Sequence, residues 1–81
     1  MRTRILLTLK PVDGALVRVL ALAERRGFSI RELATRLEGD LRDVVLEVQS
    51  ADRSADNLCR QLAKLHDVVE VCTPSGPEVR G

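Results

Sequence analysis

Aromatic side chains are almost absent: Phe28 is the only one in 81 residues, with no tryptophan or tyrosine. Without them a sheet has no platform for stacking bases, which argues against the RNA-recognition modules. The core must be filled by Leu, Val, Ile and Ala, and is expected to be aliphatic and shallow in a chain near the lower size limit for a self-supporting domain. An excess of one charge is missing too. Thirteen basic and twelve acidic residues give a formal charge of +1, so no long-range field gathers nucleic acid or an anionic membrane, and neither is expected as a partner.

No apolar run approaches the roughly 18 residues of a membrane span. "MRTRILLTLKP" is too short for a signal peptide and lacks a small-residue cleavage site, so a soluble, cytoplasmic protein is expected. Cys59 and Cys72 fall in different elements with no second pair, so neither a zinc cluster nor a dithiol redox motif can be written. Both are expected to be reduced packing residues. His66 has no acidic or cysteine neighbour at ligand spacing and reads as a helix-end residue. No metal site and no catalytic set are expected.

What is present is a periodic pattern. Thr3, Ile5, Leu7 and Leu9 alternate on one face of a first strand, with Arg4, Leu6, Thr8 and Lys10 on the other. Pro11 ends its register, Asp13 is a helix N-cap type, and Leu16, Val19, Leu20 and Ala23 recur at helical spacing until Gly27, the expected C-cap. The spacing of Ile30, Leu33, Ala34 and Leu37 matches a second helix. "EGD" at Glu38 to Asp40, however, has a tight-turn composition, and "VVLEV" beyond it has strong β propensity. A hairpin of Ile30–Leu37 with Asp43–Gln49 is therefore the economical reading. Ser54 then caps a helix whose buried stripe is Leu58, Leu62 and Leu65, and "VVEVCT" forms the last strand.

The order β-α-β-β-α-β predicts an α+β, ferredoxin-like domain over residues 1–73: a four-stranded antiparallel sheet with two helices on one face. Residues 74–81, "PSGPEVRG", are expected to form a disordered tail. Val44, Leu46 and Val48 oppose Val45 across the third strand, so the uncovered sheet face is expected to be buried in a dimer or against another protein. Acylphosphatases share the plan but need an Arg in the first loop and an Asn on the third strand, and a copper chaperone needs CxxC where this chain has "KPVDG".

Two stretches carry a more specific resemblance. "GALVRVLALAERRGFSI" and "LCRQLAKLHDVVEV" resemble the ACT domain, the small regulatory module that binds amino acids. They are most similar to the short regulatory small subunit of acetohydroxyacid synthase (acetolactate synthase). The resemblance covers about Ile5 to Thr73. It implies a non-catalytic subunit that binds and activates a separate catalytic subunit, in which thiamine diphosphate, magnesium and FAD reside. It implies a homodimer through an edge strand, and in many members feedback by branched-chain amino acids. A free-standing amino-acid-binding ACT domain serving another enzyme is the alternative.

The resemblance places an effector seam at Pro11, Asp13, Gly14, Ala15 and Leu16 of one subunit and at Ser29 and Ile30 of its copy. Independently, a helix N-terminus beginning at a residue with no side chain is a natural carboxylate seat. Turn geometry alone would equally call for Gly14 and Gly27. Feedback-sensitive members typically carry Asn, Pro and Asn where this chain has Pro11, Asp13 and Ser29. The missing amides, and an Asp13 carboxylate expected to cap the amides of Ala15 or Leu16, predict a weak or absent response to valine. Arg25 and Arg26, with Glu24, read as a solvated helix end.

Overall fold

The computed structural model describes residues 2–73. The expected tail at 74–81 lies outside the described residues. Six elements follow in the expected order: β1 (Arg2–Leu9), α1 (Ala15–Arg25), β2 (Ser29–Glu38), β3 (Leu41–Gln49), α2 (Ala55–Ala63) and β4 (Val68–Cys72). Strand alternation decides which side of the sheet is covered. Ile5 lies opposite Leu46 and Leu7 opposite Val44, and these side chains with Leu9 and Val48 are buried under the helices. Helix α1 contributes Ala15, Val19 and Ala23 to that core, and α2 contributes Leu58, Cys59 and Leu62. Phe28, the lone aromatic, is buried with them. Leu65 falls just past the end of α2 and packs against the core half-buried.

The sheet is antiparallel in the order β2-β3-β1-β4, which makes β2 an edge strand. The hairpin β2–β3 closes through Gly39 and Asp40, with Glu38 paired to Leu41. Gly39 has φ +62° and Asp40 is not in the positive region, the pattern of a type II′ hairpin turn. A bulge between Ile30 and Glu32 explains why this strand resembles a helix in sequence. The extra residue puts Ile30, opposite Val48, and Leu33, opposite Leu46, on the same face although they are three apart.

On the other face, Ala34, Val45, Leu6 and Cys72 are cross-strand neighbours and form one apolar row across all four strands. Rows carrying Arg4 and Glu47 on one side, and Arg36, Asp43, Thr8 and Glu70 on the other, flank it. A shallow depression of about 550 Å³ lies over the row. This is the uncovered face expected from Val45, which is 37% exposed.

Candidate functional site

The loop between β1 and α1 is built by two short turns. Pro11 has no N–H with which to continue the ladder. The Val12 N–H donates to the Lys10 carbonyl at 2.8 Å and the Ala15 N–H to the Val12 carbonyl at 3.1 Å. Gly14 then starts the helix at φ +81°, and no side chain caps it. This corrects the expectation for Asp13. The N-cap is Gly14, the Ala15 amide is occupied by Val12, and the Asp13 carboxylate caps neither Ala15 nor Leu16. The physical reason is the left-handed backbone at Gly14, which carries the helix entry one residue past Asp13. Asp13 contributes its carbonyl instead, accepting from Arg18 Nη2 at 3.1 Å.

Two residues that the sequence reading left out organise the loop. Arg18 Nε donates to Asp67 Oδ2 at 2.7 Å, and its Nη2 bonds the same oxygen. Asp67 is buried, and its carbonyl accepts the Lys10 N–H at 2.9 Å. The pair thus pins the β1–α1 loop to the turn before β4. The sequence signal was Arg18 at four residues past Gly14, one helical turn along the same face. A Cβ at Gly14 would lie 3.0 Å from Arg18 Nη1, so the guanidinium tip would have to shift by a few tenths of an ångström, while the backbone angle is what calls for glycine there.

Pro11, Asp13, Gly14, Ala15 and Leu16 come together around a depression of about 270 Å³, joined by Val12, Val17 and Arg42. Val12 and Val17 are 45% and 68% exposed, large values for valine. The first-turn amides of Leu16 and Val17 face no capping side chain. Chemically, the arrangement sets uncapped backbone donors beside apolar side chains, with the acidic Asp13 in the lining. At this volume it suits only a small ligand.

Ser29 and Ile30 are not part of it within one chain. Ser29 pairs with Gln49, which pairs with Arg2, whereas the loop follows Leu9, level with Arg42 and Leu37. Seven residues of β1 separate the two ends, roughly 23 Å at the rise of a strand. Ser29 is exposed and Ile30 half-buried. Both open the edge strand β2, where Leu33 and Leu37 are 41% and 69% exposed.

The other glycine closes its end of α1. The C-cap is Arg26, and Gly27 is the next residue, at φ +90°. The Gly27 N–H donates to the Glu24 carbonyl and the Phe28 N–H to the Ala23 carbonyl, both at 3.0 Å, the two bonds of a Schellman motif. At α2, Ser54 is the N-cap as expected but makes no side-chain capping bond. His66 is exposed, two residues past the α2 cap Lys64. Both cysteines are free, and Cys59 is buried. Burial, with smaller contributions from Asp56 and Cys72, pushes the Cys59 thiol up to about 11, which keeps it protonated and unreactive at neutral pH. Among the described residues, no group of three or more His, Cys, Asp or Glu is placed to hold a metal ion. No helix there is long and apolar enough to cross a membrane.

The fold has solved relatives. The ACT domain of GTP pyrophosphokinase from Chlorobium tepidum superposes with a TM-score of 0.72 at 14% identity, covering 90% of this chain and 96% of that one. A homoserine dehydrogenase from Thiobacillus denitrificans gives 0.72 at 16% identity, covering 90% of this chain and 17% of that one. Formyltetrahydrofolate deformylase from Burkholderia mallei gives 0.65 at 19% identity, covering 76% and 23%. At such identities these likenesses show the fold, and this chain spans only a small part of the two metabolic enzymes. No curated protein sequence matches it. The family profile of the ACT domain matches residues 11–71. The protein therefore belongs to the ACT domain family, whose members are small regulatory modules.

Proposed function

We propose that this ACT domain is the regulatory small subunit of acetohydroxyacid synthase, activating a separate catalytic subunit in branched-chain amino acid synthesis. The observation that carries the reading is how the two resembling stretches meet. Arg18 and Arg26 belong to the first stretch, Asp67 and Gln61 to the second. Arg18 pairs with Asp67, and Arg26 Nη2 donates to Gln61 Oε1 at 3.2 Å. Residues that carry the resemblance thus link α1 to α2 and to the turn before β4 as well as forming a sequence string. Thiamine diphosphate, magnesium and FAD belong to the partner in this reading.

Two surfaces remain for partners. The long exposed edge of β2 is a template for antiparallel pairing with a second copy. Such pairing sets the start of one β2 beside the end of the other. Ser29 and Ile30 of one subunit then approach the Pro11–Leu16 loop of its partner, uniting the seven effector residues. The apolar row through Val45 is assigned to the catalytic subunit.

The loop offers backbone donors but lacks amide side chains at Pro11 and Ser29, and Asp13 adds a negative charge beside the helix N-terminus. Valine feedback is accordingly weak or absent. The test is synthase activity of the catalytic subunit alone and with this protein, each with and without valine, leucine and isoleucine. Stimulation that Val45→Glu abolishes supports the role. No stimulation and no complex would transfer the reading to a free-standing ACT sensor.

A further inference from the structure

Where α1 ends beside the start of α2, three arginines surround one hollow. Arg25, Arg26 and Arg53 line a cavity of about 160 Å³, floored by Phe28 and Leu58 and walled by Ser54 and Asn57. No carboxylate lines it. Like charges brought together repel, and the chain has twelve acidic residues with which to neutralise them. Yet among the described residues Arg25 has no ion-pair partner, and Arg26 donates only to the neutral amide of Gln61. Arg53 reaches only Asp52, at 4.0 Å, with both side chains mostly exposed.

Arginines often gather at a helix C-terminus to satisfy its last carbonyls. Here the amides of Gly27 and Phe28 take two of them, the carbonyls of Glu24 and Ala23, and among the described residues none of the three arginine side chains bonds a carbonyl of α1. The backbone of Arg53 is held in place although its side chain is mostly exposed. Its N–H donates to Ser50 Oγ at 3.1 Å, which shapes the turn before α2. Its side chain lies against Gly27, where a Cβ would come within 3.4 Å of Nε.

We infer that this hollow binds the phosphate group of a small phosphorylated metabolite. Guanidinium forks present paired donors matched to planar or tetrahedral oxyanions, and three of them outmatch the single charge and two oxygens of a carboxylate. A phosphate dianion offers three terminal oxygens and a second charge to these donors. Ser54 makes no capping bond, so its hydroxyl and the first-turn amides of α2 add further donors. The volume holds the phosphate alone, and the rest of the metabolite projects into solvent. The site lies at the opposite end of α1 from the amino-acid seat and stands whether or not that seat is used.

The experiment is a titration of the full chain with inorganic phosphate, followed by ¹H–¹⁵N spectra at fixed ionic strength, with acetate as the carboxylate control. Saturable shifts confined to residues 25–28 and 53–57, absent with acetate, are expected. Arg25→Gln and Arg53→Gln should each weaken binding about tenfold, the loss of one charge-assisted contact. The Arg25 side chain makes no hydrogen bond or ion pair among the described residues, so its variant reads binding without unfolding. Shifts that never saturate, that spread equally to Arg2, Arg4 and Arg42, or that acetate reproduces would overturn the site. Valine added at saturating phosphate should leave these shifts unchanged, so failure of the amino-acid reading does not touch this one.

Discussion

The two ends of α1 begin alike and finish differently. Each has a glycine in the left-handed region, Gly14 at φ +81° and Gly27 at φ +90°. At Gly27 the backbone folds back on itself and its own amides take the carbonyls of Ala23 and Glu24. At Gly14 the turn takes only the Ala15 amide, and the next amides face a depression instead of a side chain. One end is closed by bonds of its own chain, and the other has no capping side chain. A glycine in a sequence therefore signals a backbone angle, while the fate of the neighbouring polar groups separates a turn from a seat.

Substitutions at the two glycines should break the symmetry between them. Gly14→Ala should destabilise by about 2–3 kcal/mol, since left-handed strain of about 1–2 kcal/mol is joined by displacement of Arg18 from Asp67. Gly27→Ala carries the strain alone, about 1–2 kcal/mol, because its Cβ meets only the flexible Arg53 side chain. Urea denaturation of both variants reads the difference, and equal losses would remove Arg18 from the account. A double-mutant cycle with Arg18→Ala and Asp67→Ala should give a coupling of about 1 kcal/mol, discounted because Arg18 is half exposed. Arg25→Gln, at the finished end, should shift stability by less than about 0.5 kcal/mol.

A pH dependence is shared by neither end and is silent at neutral pH. Cys59 has its folded pKa raised from 9.0 to about 11, so the folded state holds this proton more tightly than the unfolded chain. Its contribution is fully present below pH 9 and lost as pH rises through about 11. Thermal melting across that window should show the decline, and Cys59→Ala should flatten it.

Much of this was legible in the sequence because strand and helix periods are local. The alternation of Ile5, Leu7 and Leu9 located the covered face, and the turn composition at Gly39 overruled a helix-like spacing that the bulge at Arg31 now accounts for. The site was less legible. Asp13 has the chemistry of a cap, but the backbone angle at Gly14 moved the cap by one residue, and no local pattern encodes that shift. Arg18 and Asp67 are 49 positions apart, and only the fold brings them together. The same is true of Arg25 and Arg53, which as a sequence look like unrelated solvated charges.

The most direct test of the open, amide-poor seat is a calorimetric titration of the protein with valine. No saturable binding at micromolar concentration is the expected result. Saturation at micromolar valine would contradict the account, showing that the backbone donors at Leu16 and Val17 suffice without the side chains that Pro11 and Ser29 lack.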